Sequence, residues 1–260
     1  MLEAHPVLLG TVGSLLAGAM TAVGALPVFA EREISTRQQD ALLGFAAGVM
    51  LAASFFSLLI PSLAASERLY ENGLLAASIA VIGLMIGAVT IAWINENVPH
   101  EHFLLGPEGP DTAALRKIWL FVIAITIHNF PEGLAVGVGF GSGDFANGLS
   151  LAIGIGLQNA PEGLAVAVAL ASQGYTRMHA FLIASVTGVV EPIGGLLGAG
   201  AVYFSEPLLP WGLAFAAGAM LYVISHEIIP ETHSRGNQNQ ATTGLIVGLV
   251  AMMFLDVTLG

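Results

Sequence analysis

The chain has 260 residues, of which 55% are hydrophobic and only 10% are charged. Soluble globular domains carry about 25% charged residues, so this composition predicts a membrane protein. The formal net charge of −11 argues against nucleic acid as a partner and suits a protein whose ligands are cations. Cysteine is absent, which excludes disulfides and thiolate metal ligands within this chain.

Eight stretches are apolar and long enough to cross a membrane, for which about 20 residues are needed. In chain order they are residues 6–30, 41–65, 73–95, 118–140, 145–171, 178–204, 208–230 and 241–259. We number them spans one to eight and expect an all-α polytopic membrane protein with a single transmembrane domain over residues 1–260. The longest connection is a polar loop over about residues 96–117, whose histidines, His100 and His102, could capture a metal ion or simply be solvated.

Lys and Arg are concentrated in every second loop, and this bias predicts orientation because cytoplasmic loops are enriched in both. The loops after spans two, four and six contain only Arg68. We therefore expect both termini on the non-cytoplasmic side and the histidine-containing loop in the cytoplasm. The remaining basic residues lie in the loops after spans one, three, five and seven: Arg32, Arg37, Arg116, Lys117, Arg177 and Arg235.

Spans four and five contain related segments, HNFPEG at residues 128–133 and QNAPEG at residues 158–163. The first residue of each segment lies four positions before its glutamate, and residues four apart share one face of a helix. Two such faces turned toward each other would form a cage of nitrogen and oxygen ligands. Imidazole and carboxylate without thiolate suit Zn²⁺, with Fe²⁺, Mn²⁺ and Cd²⁺ as alternatives. The candidate ligands are His128, Glu132, Gln158 and Glu162.

Each segment also places a proline at membrane depth. Pro131 cannot donate a hydrogen bond to the carbonyl four residues earlier, and the same holds for Pro161. We expect kinked helices here, because irregular backbone inside a membrane is tolerated where it lines a cavity or is buried in protein.

Other polar residues inside the spans are further site candidates, because ionisable groups in a membrane are expensive and by default mark a pathway or a site. Glu191 could belong to the site, and the alternative is a purely structural role. His226 and Glu227 suit an exit site or an interfacial pair, and Asp256 suits an entrance acid or a snorkelling terminus. Met50 and Ser57 could line a path. No Lys or Arg lies deep in these spans, so a bound cation would resolve the excess of buried acids.

The two segments resemble the signature of the ZIP (Zrt/Irt-like) family of divalent-metal transporters, and the similarity covers essentially the whole chain. It is closest to the prokaryotic-type branch. The supporting matches are Met50 to Ser57, Glu191-Pro192, Ser225-His226-Glu227 and Leu255-Asp256-Val257.

The resemblance implies an eight-helix bundle with external termini and a 3+2+3 arrangement, in which spans four and five are the central metal-binding pair. It implies an entrance residue at Asp256 and an exit site at His226 with Glu227. One metal would be held by His128, Glu132, Gln158 and Glu162. A neighbouring metal would share the two glutamates and add Asn129, Asn159 and Glu191.

Two positions depart from the family pattern. Asn159 stands where some relatives have Asp, which leaves the occupancy of the second metal position open. Gln158 stands where many eukaryotic members have His, which leaves the preference for zinc open.

We therefore expect transport of divalent transition-metal ions toward the cytoplasm by alternating access, with Zn²⁺ first and Cd²⁺, Fe²⁺ or Mn²⁺ as alternatives. The ion is a substrate, and no cofactor is expected. The expected partners are metal ions, membrane lipid and, from the resemblance, a second copy in a homodimer. The expected location is a prokaryotic cytoplasmic (inner) membrane.

Three other functions fit parts of the sequence. A channel could use the same site. An intramembrane metallohydrolase is suggested by His226-Glu227, which begins like the motif H-E-x-x-H, but Pro230 replaces the second histidine and breaks the required helix. A metal-sensing receptor would need an output domain, and the sequence contains no dedicated one. We expect no enzymatic activity.

Overall fold

The computed structural model describes residues 5–30, 35–97, 100–102, 106–108, 117–172 and 175–259. For residues 100–102, 106–108, 117–121, 124 and 172 it describes the backbone alone.

The described residues form eleven α-helices and one hairpin of two short strands. The helices are α1 (Pro6–Ala25), α2 (Thr36–Ala52), α3 (Ile60–Tyr70), α4 (Gly73–Asn97), α5 (Lys117–Gly141), α6 (Phe145–Ser172), α7 (Arg177–Thr187), α8 (Glu191–Phe204), α9 (Leu208–Val223), α10 (Ile229–His233) and α11 (Gln238–Leu259). The strands are β1 (His100–His102) and β2 (Gly106–Glu108).

Short non-α segments join several of these helices into longer rods. A 3₁₀ segment, Leu26–Phe29, continues α1, and another, Gly188–Val190, joins α7 to α8. Two π-helical segments, Ala53–Leu59 and Ile224–Ile228, join α2 to α3 and α9 to α10. Every junction falls inside a stretch that the sequence predicts as one span.

In the part of the chain that the structure describes, seven helical stretches are long and apolar enough to cross a membrane. They correspond to seven of the eight predicted spans, and α5 coincides with the remaining one, residues 118–140. The prediction of a helical polytopic membrane protein is confirmed. The hairpin in the polar loop, where His100 pairs with Glu108, was not predicted.

The second span begins earlier than predicted, at Thr36 rather than residue 41. The reason is a capping box. The Ser35 hydroxyl accepts from the backbone N–H of Gln38, and the Gln38 side chain accepts from the backbone N–H of Ser35. The longer helix includes Asp40, which is completely buried.

The prolines act differently in different helices. α5 and α6 continue as α-helices through Pro131 and Pro161. Pro61 and Pro230 instead are the second residues of α3 and α10, one residue beyond the end of each π-helical segment. A proline ring clashes with the carbonyl four residues earlier, and the wider turn of a π-helix gives it room.

The helices pack as two sets. In one set α2 packs along α11, α4 packs along α9, and α3 contacts both α4 and α9. In the other, α1 packs against α5, α6 and α8, and α5 packs along α8. Contacts of α2 with α6 and of α5 with α9 join the sets. The sets correspond to spans two, three, seven and eight and to spans one, four, five and six. The 3+2+3 arrangement stays a prediction.

Glycine pairs allow the closest of these approaches, as is common between membrane helices. A Cβ at Gly48 would lie against the backbone of Leu245, and a Cβ at Gly248 would lie against the backbone of Phe45. The contact between α2 and α11 is therefore reciprocal, with a glycine of each helix against the backbone of the other.

Gly48→Ala is expected to lower stability by about 1–3 kcal/mol, because the added methyl group would force α2 and α11 apart. Thermal unfolding of the detergent-solubilised protein measures the effect. Gly200→Ala in α8 is the matched control, because a Cβ there meets no atom within 4 Å. An equal loss of stability in both variants would contradict the proposed close approach.

Candidate metal centre

A cluster of polar side chains is buried where α5, α6, α8 and the segment Ile224–Ile228 meet. All of its members are at most 6% exposed. α5 contributes three, α6 contributes three, and the start of α8 and the π-helical segment contribute one each. The members are His128, Asn129, Glu132, Gln158, Asn159, Glu162, Glu191 and Glu227.

Two hydrogen bonds between an amide and a carboxylate connect α6 to its neighbours. Gln158 Nε2 donates to Glu132 Oε1 at 2.6 Å. Asn159 Nδ2 donates to Glu191 Oε1 at 2.8 Å and to the backbone carbonyl of Ala17 at 2.9 Å. Each side-chain pair thus joins an amide of the QNAPEG segment to a carboxylate of another helix.

A third contact joins His128 to Glu227. The Nε2 atom of His128 faces the Oε2 atom of Glu227. Glu227 is 2% exposed, so it belongs to the buried cluster. His226 is exposed on the opposite side and stacks on Tyr222 with 5.0 Å between ring centroids. The two residues predicted as an exit pair therefore have different surroundings.

The cluster contains an excess of buried hydrogen-bond acceptors. Spans four to seven contain no Lys or Arg. Among the described residues, no donor reaches several of the cluster's oxygen atoms, which is unusual because buried polar groups are almost always paired. These atoms are Asn129 Oδ1, Glu132 Oε2, Gln158 Oε1, Asn159 Oδ1, both Glu162 carboxylate oxygens and Glu191 Oε2.

In the described part of the chain, no group of three or more His, Asp or Glu side chains is arranged to hold one metal ion. A site here therefore needs the amide oxygens of Asn or Gln as well. In each amide–carboxylate pair, the amide oxygen and one carboxylate oxygen take no part in the hydrogen bond. The Gln158–Glu132 and Asn159–Glu191 pairs therefore each present two neighbouring oxygen atoms that could bind a metal. The donor set fits a metal that accepts oxygen and imidazole ligands.

The glycine of each six-residue segment brings a neighbouring helix close to the cluster. A Cβ at Gly133 would lie on the backbone of Glu191, and a Cβ at Gly163 would lie on the backbone of Thr21 in α1. The glutamate and the glycine next to it thus have separate tasks. One supplies the carboxylate, and the other permits the contact that buries it.

A second polar contact joins two candidates from different helices. The Ser57 hydroxyl, in the segment Ala53–Leu59, donates to Asp256 Oδ1 at 2.6 Å. Asp256 is half-buried. Met50 is 1% exposed within the main apolar core. His100 and His102 lie in β1, and their side chains are outside the described residues.

Sequence reasoning missed two features of this region. One is the Ala17 carbonyl of α1, which helps to orient Asn159 but carries no side-chain signal. The other is the position of Glu227 beside His128, within a π-helical segment that the sequence did not predict.

The fold and the site define a multi-pass integral membrane protein with a buried acidic cluster between adjacent helices. The family model described as "ZIP Zinc transporter" matches residues 107–256. The chain is 47% identical over 251 residues to "Zinc transporter GufA" of Myxococcus xanthus, covering 96% of this chain and 99% of that protein.

Two further relatives extend the comparison. "Zinc transporter ZIPB" of Bordetella bronchiseptica is 46% identical over 249 residues, which cover 96% of this chain and 81% of that protein. "Zinc transporter ZIP11" of Homo sapiens is 36% identical over 342 residues and covers both chains completely. The chain belongs to the ZIP family. Its members are named as transporters and not as enzymes, in agreement with the sequence prediction.

Asn159→Ala is expected to lower stability by about 1–3 kcal/mol, because it leaves Glu191 Oε1 buried without its donor. Thermal unfolding measures the difference. Asn97→Ala is the control, because Asn97 is exposed and donates to Trp93 of its own helix. If both substitutions had the same small effect, the Asn159 contacts would not be holding the helices together.

Proposed function

We propose that this protein transports divalent transition-metal ions, Zn²⁺ foremost, across a prokaryotic cytoplasmic membrane toward the cytoplasm. Membership of the ZIP family supports the class of substrate, and the names of the relatives support zinc. Cd²⁺, Fe²⁺ and Mn²⁺ are further candidates because they accept the same nitrogen and oxygen ligands. Homodimer formation remains an expectation from the family.

The observation that carries this proposal is the set of buried acceptor oxygens without donors. Burying carboxylates away from water is unfavourable unless a cation or a hydrogen-bond donor compensates them. Glu162 has no donor on either oxygen among the described residues. A divalent cation would supply the missing positive charge and would be attracted by several oxygens together.

The first ion position would use His128, Glu132, Gln158 and Glu162. Its His and Glu side chains are not arranged around one point in this structure, so the ion would have to draw them together. A neighbouring position would use Asn129, Asn159 and Glu191 and would share Glu132 and Glu162. In this scheme the amides act in two ways. Their N–H groups hold the carboxylates in place, and their oxygens remain available to the metal. His128 would exchange its contact with Glu227 for the ion.

The contact between His128 and Glu227 suggests how an ion leaves the cluster. Glu227 can replace His128 as a ligand of the ion, because the two side chains are already in contact. On the other side, the Ser57–Asp256 pair offers a first carboxylate to an arriving ion. Alternating access would open the cluster first toward Asp256 and then past Glu227. With the predicted orientation, this path would run from the non-cytoplasmic side to the cytoplasm.

Proteoliposomes that contain a metal-sensitive dye test the proposal directly. Wild type is expected to give saturable Zn²⁺ uptake, and Glu162→Gln is expected to reduce Vmax/KM at least about tenfold, equivalent to ~1.4 kcal/mol. Glu206→Gln is the matched control, because the Glu206 side chain is 66% exposed. Uptake that rises linearly with ion concentration would indicate a channel. Uptake unchanged by Glu162→Gln would contradict the proposed site.

Uptake is also expected to depend on the pH of the side from which the ion enters. Ligating carboxylates and imidazole must lose their protons to bind a metal, so protons and Zn²⁺ compete. Lowering the external pH should raise the apparent KM for Zn²⁺. Initial rates over a range of Zn²⁺ concentrations at each pH measure this. An apparent KM that does not change with external pH would contradict binding by titratable ligands.

A further inference from the structure

A polar network lies away from the metal cluster, where the start of α2 meets the turn between α10 and α11. Its centre is Arg235, whose side chain is only 15% exposed. Arg235 Nη1 donates to Gln39 Oε1 at 3.0 Å and lies 3.6 Å from Asp40 Oδ1. Arg235 Nη2 donates to Glu231 Oε1 at 3.2 Å.

The network neutralises a carboxylate that the transport scheme does not use. Asp40 is 0% exposed and also accepts a hydrogen bond from Asn237 Nδ2 at 2.8 Å. One guanidinium group therefore lies between a carboxylate of α2 and a carboxylate of α10. Arginine suits this position because its planar fork can donate to several acceptors at once.

The short helix α10 continues the rod of α9 through a segment that is not α-helical. Between them lies the π-helical segment Ile224–Ile228, and Pro230 then removes one backbone hydrogen bond from the first turn. The direction of α10 is consequently not set by an unbroken α-helix from α9. Contacts with α2 and α11 therefore help to set it.

The same rod carries Glu227, the residue that contacts His128. Glu231 follows Glu227 along this rod, and Arg235, in the turn after α10, contacts Glu231 directly. Holding Arg235 on α2 therefore limits rotation of the segment that turns Glu227 toward the cluster. α11, which packs along α2, completes the support.

We propose that Arg235 is a positioning residue for Glu227. By bridging Asp40 and Gln39 of α2 to Glu231 of α10, it fixes the orientation of the segment that carries Glu227 and so keeps Glu227 against His128. The consequence for transport rests on the proposed function. The consequence for the position of α10 does not.

The structural arm of the test uses the absence of cysteine, which allows spin labels at two introduced sites only. Labels at Thr36→Cys and Ser234→Cys, both exposed, report the distance between the start of α2 and the end of α10. Arg235→Gln in the labelled protein is expected to broaden and shift the distance distribution. Arg68→Gln is the matched control, because it removes an arginine from an ion pair whose side chains are 66% exposed. A distance distribution unchanged by Arg235→Gln would overturn the proposal, whether or not the protein transports zinc.

The functional arm measures Zn²⁺ uptake in four proteins: wild type, Arg235→Gln, Glu227→Gln and the double variant. Arg235→Gln is expected to lower Vmax about five- to tenfold, while the double variant is no slower than Glu227→Gln, because coupled residues are not additive. Arg68→Gln should match wild type. A double variant slowed by the product of the two single effects would overturn the link to Glu227.

If wild type moved no divalent ion, the proposed function would fail. The distance distribution would still decide whether Arg235 holds α10. If Arg235→Gln does not yield folded protein, Arg235→Lys replaces it in both arms. Lysine keeps the charge but cannot bridge three acceptors with a planar fork, so a smaller change in the same direction is expected.

Discussion

The structure depends on the burial of several carboxylates at membrane depth without a Lys or Arg in the same spans. Glu132, Glu162 and Glu191 meet there, and the amides of Gln158 and Asn159 donate to only two of them. Hydrogen bonds of this kind orient a carboxylate but do not cancel its charge. The cluster is therefore suited to a cation, and the surrounding helices serve to keep it dry and to limit access.

The sequence pattern of the two segments follows from this requirement. A carboxylate is buried only if a neighbouring helix can approach closely, and Gly133 and Gly163 permit that approach by α8 and α1. Histidine or glutamine one turn before the glutamate adds a second polar group on the same face. The two π-helical segments lie in the other set of helices, where each carries one polar residue, Ser57 or Glu227, of the proposed path. Such segments are frequent at functional sites.

The sequence predicted the helical membrane fold and the main members of the cluster, because span length and isolated polar residues are strong local signals. It did not predict the segment Ala53–Leu59, because one extra residue in a turn hardly alters apolar periodicity. The early start of α2 had a signal, the Ser35–Gln38 capping box, but hydropathy outweighed it. The burial of Asp40 had none. Its partner Arg235 lies 195 positions later, and only the packing of α2, α10 and α11 brings them together.

Zinc K-edge X-ray absorption on protein loaded with one ion per chain tests the central claim most directly. The account predicts a shell of nitrogen and oxygen ligands at about 2.0–2.2 Å. The imidazole contribution to this shell should disappear in His128→Ala and persist in His179→Ala, a change at an exposed histidine. A spectrum that is identical in His128→Ala and wild type would mean that zinc binds elsewhere, and the buried cluster would not be the metal site.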